Sequence, residues 1–277
     1  MADNDYPIMG KGFLPEEDSP DFWGFEDKLR PKMKAASIVT DAEIDLRPFT
    51  SPRHNQRHSS SCVAQATVKA LEIQRILKHG PDAHVDLSRL AVYYLARNLM
   101  FPPQTNEDGG TFVRLACDVL RRYGVCTEED WPFDLAKVYT PPSWMAMRKA
   151  FVHKIDSFYT IRARGADRVE SVILALAAGC PVVFGAAVGR NWNKYRSFYT
   201  GHEEPLKPPA DITGWHATVI LGWKDGQFIG ENSWGTSWGH DGFYYMSPEY
   251  IASDDHVHDF WVMTGGHEPF MQSKGAE

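Results

Sequence analysis

Cysteine is scarce in this chain: four in 277 residues, with no C-x-x-C pair. A structural zinc site wants paired Cys/His spacings of that kind, so no metal is expected. At this length the chain can bury a sizeable core without a disulfide or metal staple. A secretory signal is also missing. The start, MADNDYPIMGKGF, has two early aspartates and no basic stretch leading into an apolar one. A cytoplasmic chain with reduced cysteines is the expectation. Long apolar runs are absent with one exception. Val172 to Gly189 carries no charge and reaches the lower edge for a spanning helix, about 17 residues. Gly179-Cys180-Pro181 interrupts it, because glycine there ends a helix and proline cannot continue one. The reading is a short buried helix followed by a buried strand, with no membrane contact. Nor is there an excess of positive charge. Lys and Arg number 29 against 36 Asp and Glu, a net charge of −7, which supplies no bulk attraction to nucleic acid or an anionic membrane. With 43% apolar and 23% charged residues, the composition excludes a disordered chain. No internal repeat or low-complexity tract appears.

What is present divides into three parts. Residues 1–44, rich in Pro, Asp, Glu and Lys, read as an arm packed on the rest. Residues 45–150 read as helical. Val63, Ala66, Ala70, Ile73 and Leu77 recur at spacings of three and four, predicting a helix from Cys62 to His79. Ser59, Ser60 and Ser61 offer N-cap hydroxyls and Gly80-Pro81 ends it. Further helices are expected over 88–98 and 111–123, and after Pro141-Pro142. Residues 151–277 change texture. VVFGAAV, HATVILGW, GQFIGEN, GFYYM and FWVM are short β-branched and aromatic runs, and Asp225-Gly226 signals a hairpin. Helices first and antiparallel strands second mean an α+β fold in two lobes with a cleft between them.

One constellation carries chemistry. Cys62 opens its helix, where backbone N–H groups and the helix dipole favour a thiolate and lower the thiol pKa. His216 lies in the strand before the hairpin and Asn232 ends the strand after it, so the two can meet. An asparagine carbonyl would hold the imidazole in one tautomer, with the other nitrogen facing Cys62. Gln56 could donate, with the Cys62 N–H, to the oxyanion of a tetrahedral intermediate. The remaining cysteines, Cys117, Cys126 and Cys180, sit in apolar runs and read as core thiols. His54, His58, His256 and His258 read as polar loop surface.

The stretch Asn232 to Gly242, NSWGTSWGHDG, resembles the asparagine motif N-S-W-G-x-x-W-G-x-x-G of papain-family cysteine peptidases at every specified position. Asp45 to Phe49, Gln56 six residues before Cys62, and Gly109-Gly110 agree in order with that family. His216 and Asn232 lie farther downstream than the usual gap of about 130–150 residues. The details look most like bacterial and bacteriophage-type members, which lack a long pro-segment. The resemblance implies a papain-like fold and peptide-bond hydrolysis through an acyl-enzyme, with no cofactor and a peptide or protein as substrate. It makes Cys62 the nucleophile, His216 the acid/base, Asn232 its orienter and Gln56 the oxyanion donor. Trp234 becomes a shield, and Gly109, Gly110 and Trp215 substrate-binding residues. Departures are Ser60 for glycine, Val63 for an aromatic, Trp215 for Asp or Gly, and Glu231 where Lys or Arg is common. Two alternatives stand beside this: a papain-fold component of a larger assembly such as a virion, and cleavage of cell-wall peptides.

Overall fold

A computed structural model describes residues 12–35, 43–195 and 204–265. The first eleven residues of the expected arm, residues 36–42 and the tail 266–277 lie outside the described residues. In the arm are two short helices, α1 (Phe25–Lys28) and α2 (Arg30–Ala35). After strand β1 (Ile44–Asp45) come α3 (Cys62–His79), α4 (Arg89–Asn98), α5 (Val113–Arg122) and α6 (Trp144–Ala150). The second half holds β2 (Ser157–Ile161), α7 (Gly165–Ala177), β3 (Val182–Val188), α8 (Arg190–Lys194) and β4 (Gly214–Lys224). It closes with β5 (Gln227–Glu231), β6 (Phe243–Met246), α9 (Pro248–Ala252) and β7 (Val257–Thr264).

Helix α3 is the axis of the molecule. Every residue from Cys62 through Gln74 is buried, so both of its sides are covered and not only the predicted apolar stripe. Helices α4 and α5 pack on one side and strand β4 on the other. The expected serine cap is absent. The Ser61 hydroxyl instead bonds Ser59 Oγ (2.7 Å) and accepts from Gln65 Nε2 (3.1 Å), and no side chain caps the helix. The C-terminal end follows expectation: Gly80, at φ +88°, donates its N–H to Ile76 O.

The strands form one antiparallel sheet in the order β2-β7-β3-β4-β5-β6, with β1 added beside β4. Ile44–Asp45 therefore joins the sheet before the chain crosses to the helices. Asp225 and Gly226 both take positive φ (50° and 72°), the geometry of a two-residue hairpin turn. That turn fixes the β4–β5 register and pairs Val219 with Glu231. Asn232 thus emerges beside the stretch of β4 that holds His216. The uncharged run becomes α7 followed by the fully buried β3. No helix among the described residues is long and apolar enough to cross a membrane. One apolar cluster surrounds α3, α4 and α5, and a second lies between the sheet and α7. Cys62 and His216 lie where α3 meets β4.

Candidate active site

Asn232 Oδ1 lies 2.8 Å from His216 Nε2 and also accepts the Ser233 N–H at 2.7 Å. Two donors converge on that oxygen, which orients the amide. An amide oxygen only accepts, so Nε2 carries a proton and Nδ1 presents its lone pair. Cys62 Sγ accepts a hydrogen bond from Ala217 N at 3.4 Å, which sets the sulfur beside the residue following His216. All three side chains are buried. Gln56 is fully buried as well. Its Nε2 donates to Ser59 O (2.8 Å) and its Oε1 accepts from Ser233 Oγ (2.6 Å). The glutamine is thereby locked between the loop before Cys62 and the residue after Asn232.

An aromatic wall closes the far side of the imidazole. The Trp234 ring centroid is 4.9 Å from that of His216, and Trp192 stands edge-on at 6.0 Å. Trp238 stacks on Trp192 at 5.7 Å and donates its Nε1–H to Trp192 O. Trp192 comes from α8, far from any recognisable motif, and only the fold brings it here.

The arm enters this site. Gly12 lies close enough to Cys62 that its backbone N–H helps to hold the thiol pKa down. Gly12 O accepts from Thr111 N (2.9 Å) and Leu14 N donates to Thr111 O (3.2 Å), so Phe13 pairs with Thr111 as a parallel bridge. The Phe13 ring is 4% exposed. It lies 6.4 Å from Trp215 and so close to Gly185 that a Cβ there would meet it at 2.2 Å. Gly110, at φ +92°, leaves no room for a side chain because a Cβ would sit 2.1 Å from Gly12 O. Gly109 stands clear, with open space where its Cβ would be. The pairing edge is therefore Thr111, which no motif marks. Behind it, Tyr93 Oη accepts the Gly110 N–H (3.2 Å) and donates to Asp108 Oδ1 (2.5 Å), which also accepts Ser60 N–H (3.0 Å). This relay ties the pairing edge to the loop that carries the nucleophile.

With the arm in place, burial pushes the Cys62 thiol up to about 11, against hydrogen bonds from Ala217 and Gly12 that pull it down. The lowered thiol pKa expected of a helix start is not found in this closed conformation, because desolvation outweighs the backbone N–H groups that face the sulfur. Burial likewise raises Cys117 and Cys180, and all four cysteines are free and buried. His54 is not loop surface but interior, 4% exposed, with Nε2 3.2 Å from Glu72 Oε2. Burial and the neighbouring Lys69 ammonium lower it to about 3, so this contact involves a neutral imidazole. His54, Glu72 and Asp86 come close enough to share a cation, but Glu72 already accepts from Ser51 Oγ and Leu87 N.

Residues 41–255 match the papain family cysteine protease. The chain is 30% identical over 246 residues to an uncharacterized peptidase C1-like protein of Acanthamoeba polyphaga mimivirus, covering 85% of this chain and 78% of that one. It is 26% identical to digestive cysteine proteinase 1 of Homarus americanus, over 79% of this chain and 67% of that one. The crystal structure of xylellain, a cysteine protease from Xylella fastidiosa, superposes with a TM-score of 0.73 at 27% identity, covering 93% and 96% of the two chains. A Carica candamarcensis cysteine protease bound to E-64 shares the fold (TM-score 0.62, 21% identity, 80% and 98% covered). The α+β fold, with its helical side and antiparallel sheet meeting at a Cys, His and Asn, is papain-like, and the chain belongs to the papain family of cysteine peptidases.

Proposed function

We propose that Cys62, His216, Asn232 and Gln56 hydrolyse peptide bonds in the roles their positions imply. The observation that carries this is the Asn232–His216 bond formed through Nε2, which assigns Nδ1 to the thiol proton. Proton transfer from Cys62 to His216 gives the thiolate that attacks the substrate carbonyl carbon. The oxyanion that forms takes hydrogen bonds from the Cys62 N–H and the second N–H of Gln56. The C–N bond breaks as His216 returns the proton to the leaving amine, leaving a thioester. Water then gives His216 a proton and attacks the thioester, and the acid leaves as the thiol is restored. Trp234 and Trp192 keep water from the Asn232–His216 bond.

The arm makes the described conformation a closed one. It presents the Gly12 N–H, not its carbonyl, to Cys62, while Gly12 O is turned to Thr111 N. Of the described arm residues, Gly12 thus turns its carbonyl away from Cys62 while covering the sulfur. The pocket that holds Phe13 against Gly185 and Trp215 favours a peptide with an aromatic or large apolar side chain beside the residue at the scissile bond. Similarity to the Xylella and mimivirus proteins supports grouping this chain with bacterial and viral members. The test is hydrolysis of a fluorogenic peptide library by the full chain and by Cys62→Ala. Loss of the nucleophile is expected to cost roughly 10⁴-fold or more. A Cys62→Ala chain with undiminished hydrolysis would overturn the reading.

A further inference from the structure

Glu231 is an unexpected neighbour for Asn232, since the family motif commonly has Lys or Arg there. Its side chain is 1% exposed. The charge that answers it comes from α3: Lys69 Nζ lies 3.1 Å from Glu231 Oε1. Lys69 follows Cys62 by two helical turns and so lies on the same side of α3. Its ammonium also donates to Pro52 O (2.8 Å) and Ser51 O (3.2 Å), hydrogen-bonds Ser51 Oγ, and stands 3.8 Å from Glu72 Oε2. One buried cation thereby joins three segments: the nucleophile helix, the loop leading to Gln56, and the end of β5 that delivers Asn232. Arg53 Nη1 reaches the other Glu231 oxygen at 3.6 Å. A small cavity bounded by Lys69, Glu231, Asn232, Gln65 and Ala217 lies against Asn232.

The geometry points to Lys69 as a positioning residue, paired with Glu231, that sets the Asn232 backbone against the Cys62 helix so that His216 is held in line with the thiol. This rests on the peptidase reading above. Stability alone is a poor reason to keep such a pair, because buried ion pairs are often matched or bettered by apolar side chains of similar size. Removing one partner, by contrast, leaves a buried charge uncompensated. The neutral pair Lys69→Met/Glu231→Gln therefore separates geometry from stability. Glu72, which also faces Lys69, keeps its hydrogen bonds from Ser51 Oγ and Leu87 N in the double variant.

The experiment compares the full chain with Glu231→Gln, Lys69→Met and the double variant. It reads Tm, kcat and KM on the chosen peptide, and the pH profile of Cys62 alkylation by iodoacetamide. Among the described residues Lys69 bonds none of the arm, so shielding of Cys62 is taken as common to all and cancels in the ratios. The double variant is expected to be more stable than Lys69→Met, yet about tenfold or more lower in kcat, with KM within about twofold and a displaced alkylation profile. A folded double variant with wild-type kcat and alkylation profile would overturn the assignment. If Lys69→Met does not fold, Glu231→Gln and the double variant carry the comparison. If neither the wild-type chain nor a chain with its arm displaced cleaves a peptide, the peptidase reading falls by itself. The alkylation profile then still decides whether Lys69 tunes the Cys62–His216 pair.

Discussion

The Asp259 carboxylate oxygen accepts the Glu16 backbone N–H at 2.8 Å, fastening the arm to the last strand. Asp259 sits in the left-handed region at φ +52°. Burial, together with the nearby negative charges of Glu16 and Asp18, raises its carboxyl to about 7, although the Glu16 N–H pulls the other way. Arg114 is held by Glu16, and His258, lowered by burial, is neutral at pH 7. Glu16 and Asp18 are themselves paired, with Arg114 and Arg162, so burial is the leading cause of the shift. An acid whose pKa is raised on docking favours the docked state while protonated. That contribution is complete near the ordinary carboxylate pKa and is lost as pH climbs through about 7.

The full chain is therefore expected to open as pH rises from 6 to 8. Asp259→Asn is a neutral mimic that tolerates positive φ, and it should hold the arm down across this range. The ratio of wild-type to Asp259→Asn peptidase activity cancels the pH dependence of the catalytic groups. It should rise with pH, by at most about tenfold per unit above pH 7. A flat ratio would show that Asp259 does not govern the arm.

Gly12 has no room for a side chain, since a Cβ there would lie 1.8 Å from Ser60 O. Backbone cannot yield as a flexible side chain can, so Gly12→Ala should push the arm off Cys62. An overlap of this kind costs about 1–3 kcal/mol, or roughly 5- to 100-fold in the open population. Alkylation of Cys62 at pH 7 is expected to accelerate by that factor, with the other three thiols unmoved. Unchanged alkylation would mean that the arm does not limit access.

Much of the fold could be read from periodicity and turn chemistry, because those features are local. The helix from Cys62 to His79 and the hairpin at Asp225-Gly226 follow from spacing and from the conformations a few residues allow. The meeting of His216 with Asn232 follows from that hairpin. Lys69, Trp192, Tyr93 and Thr111 could not be found this way. Each acts through a partner distant in sequence, and a lysine inside a helical stripe or a lone tryptophan carries no local signal of it. The Cys62 pKa failed for a related reason. A helix start lowers a thiol pKa when water reaches it, and here the packing around α3 buries the sulfur. His54 shows the same limit: a histidine between Arg53 and Asn55 looks like surface until α3 supplies Glu72 and Lys69 around it.

Gln56 is held by Ser233, so its catalytic contribution should depend on both. Gln56→Ala removes an oxyanion donor and is expected to lower kcat by about 10²–10³ with little change in KM. Ser233→Ala leaves the donor present but loosens it by one neutral hydrogen bond, net about 1 kcal/mol. That predicts roughly a fivefold fall in kcat. In the double variant the two losses should not add, because Ser233 has nothing left to orient. Strictly multiplicative effects in steady-state kinetics would argue that Ser233 acts elsewhere.

Tyr93 offers the last test, because its hydroxyl bonds both Gly110 and Asp108 in the relay described above. The ring is fully buried, so Tyr93→Phe keeps the packing and deletes two hydrogen bonds. It strands the Gly110 N–H and removes one donor from Asp108. Leaving such buried groups unpaired costs about 1–3 kcal/mol, which should appear as a Tm lower by several degrees. The functional consequence is more specific. Thr111, next to Gly110, pairs with the arm backbone, and on the proposed function a substrate backbone replaces it, so a looser edge is expected to weaken both. In a chain whose arm is already displaced by Gly12→Ala, Tyr93→Phe should raise KM about tenfold while kcat stays within about twofold. A loss confined to kcat would instead place the damage at the Ser60 loop beside Cys62, at the other end of the relay.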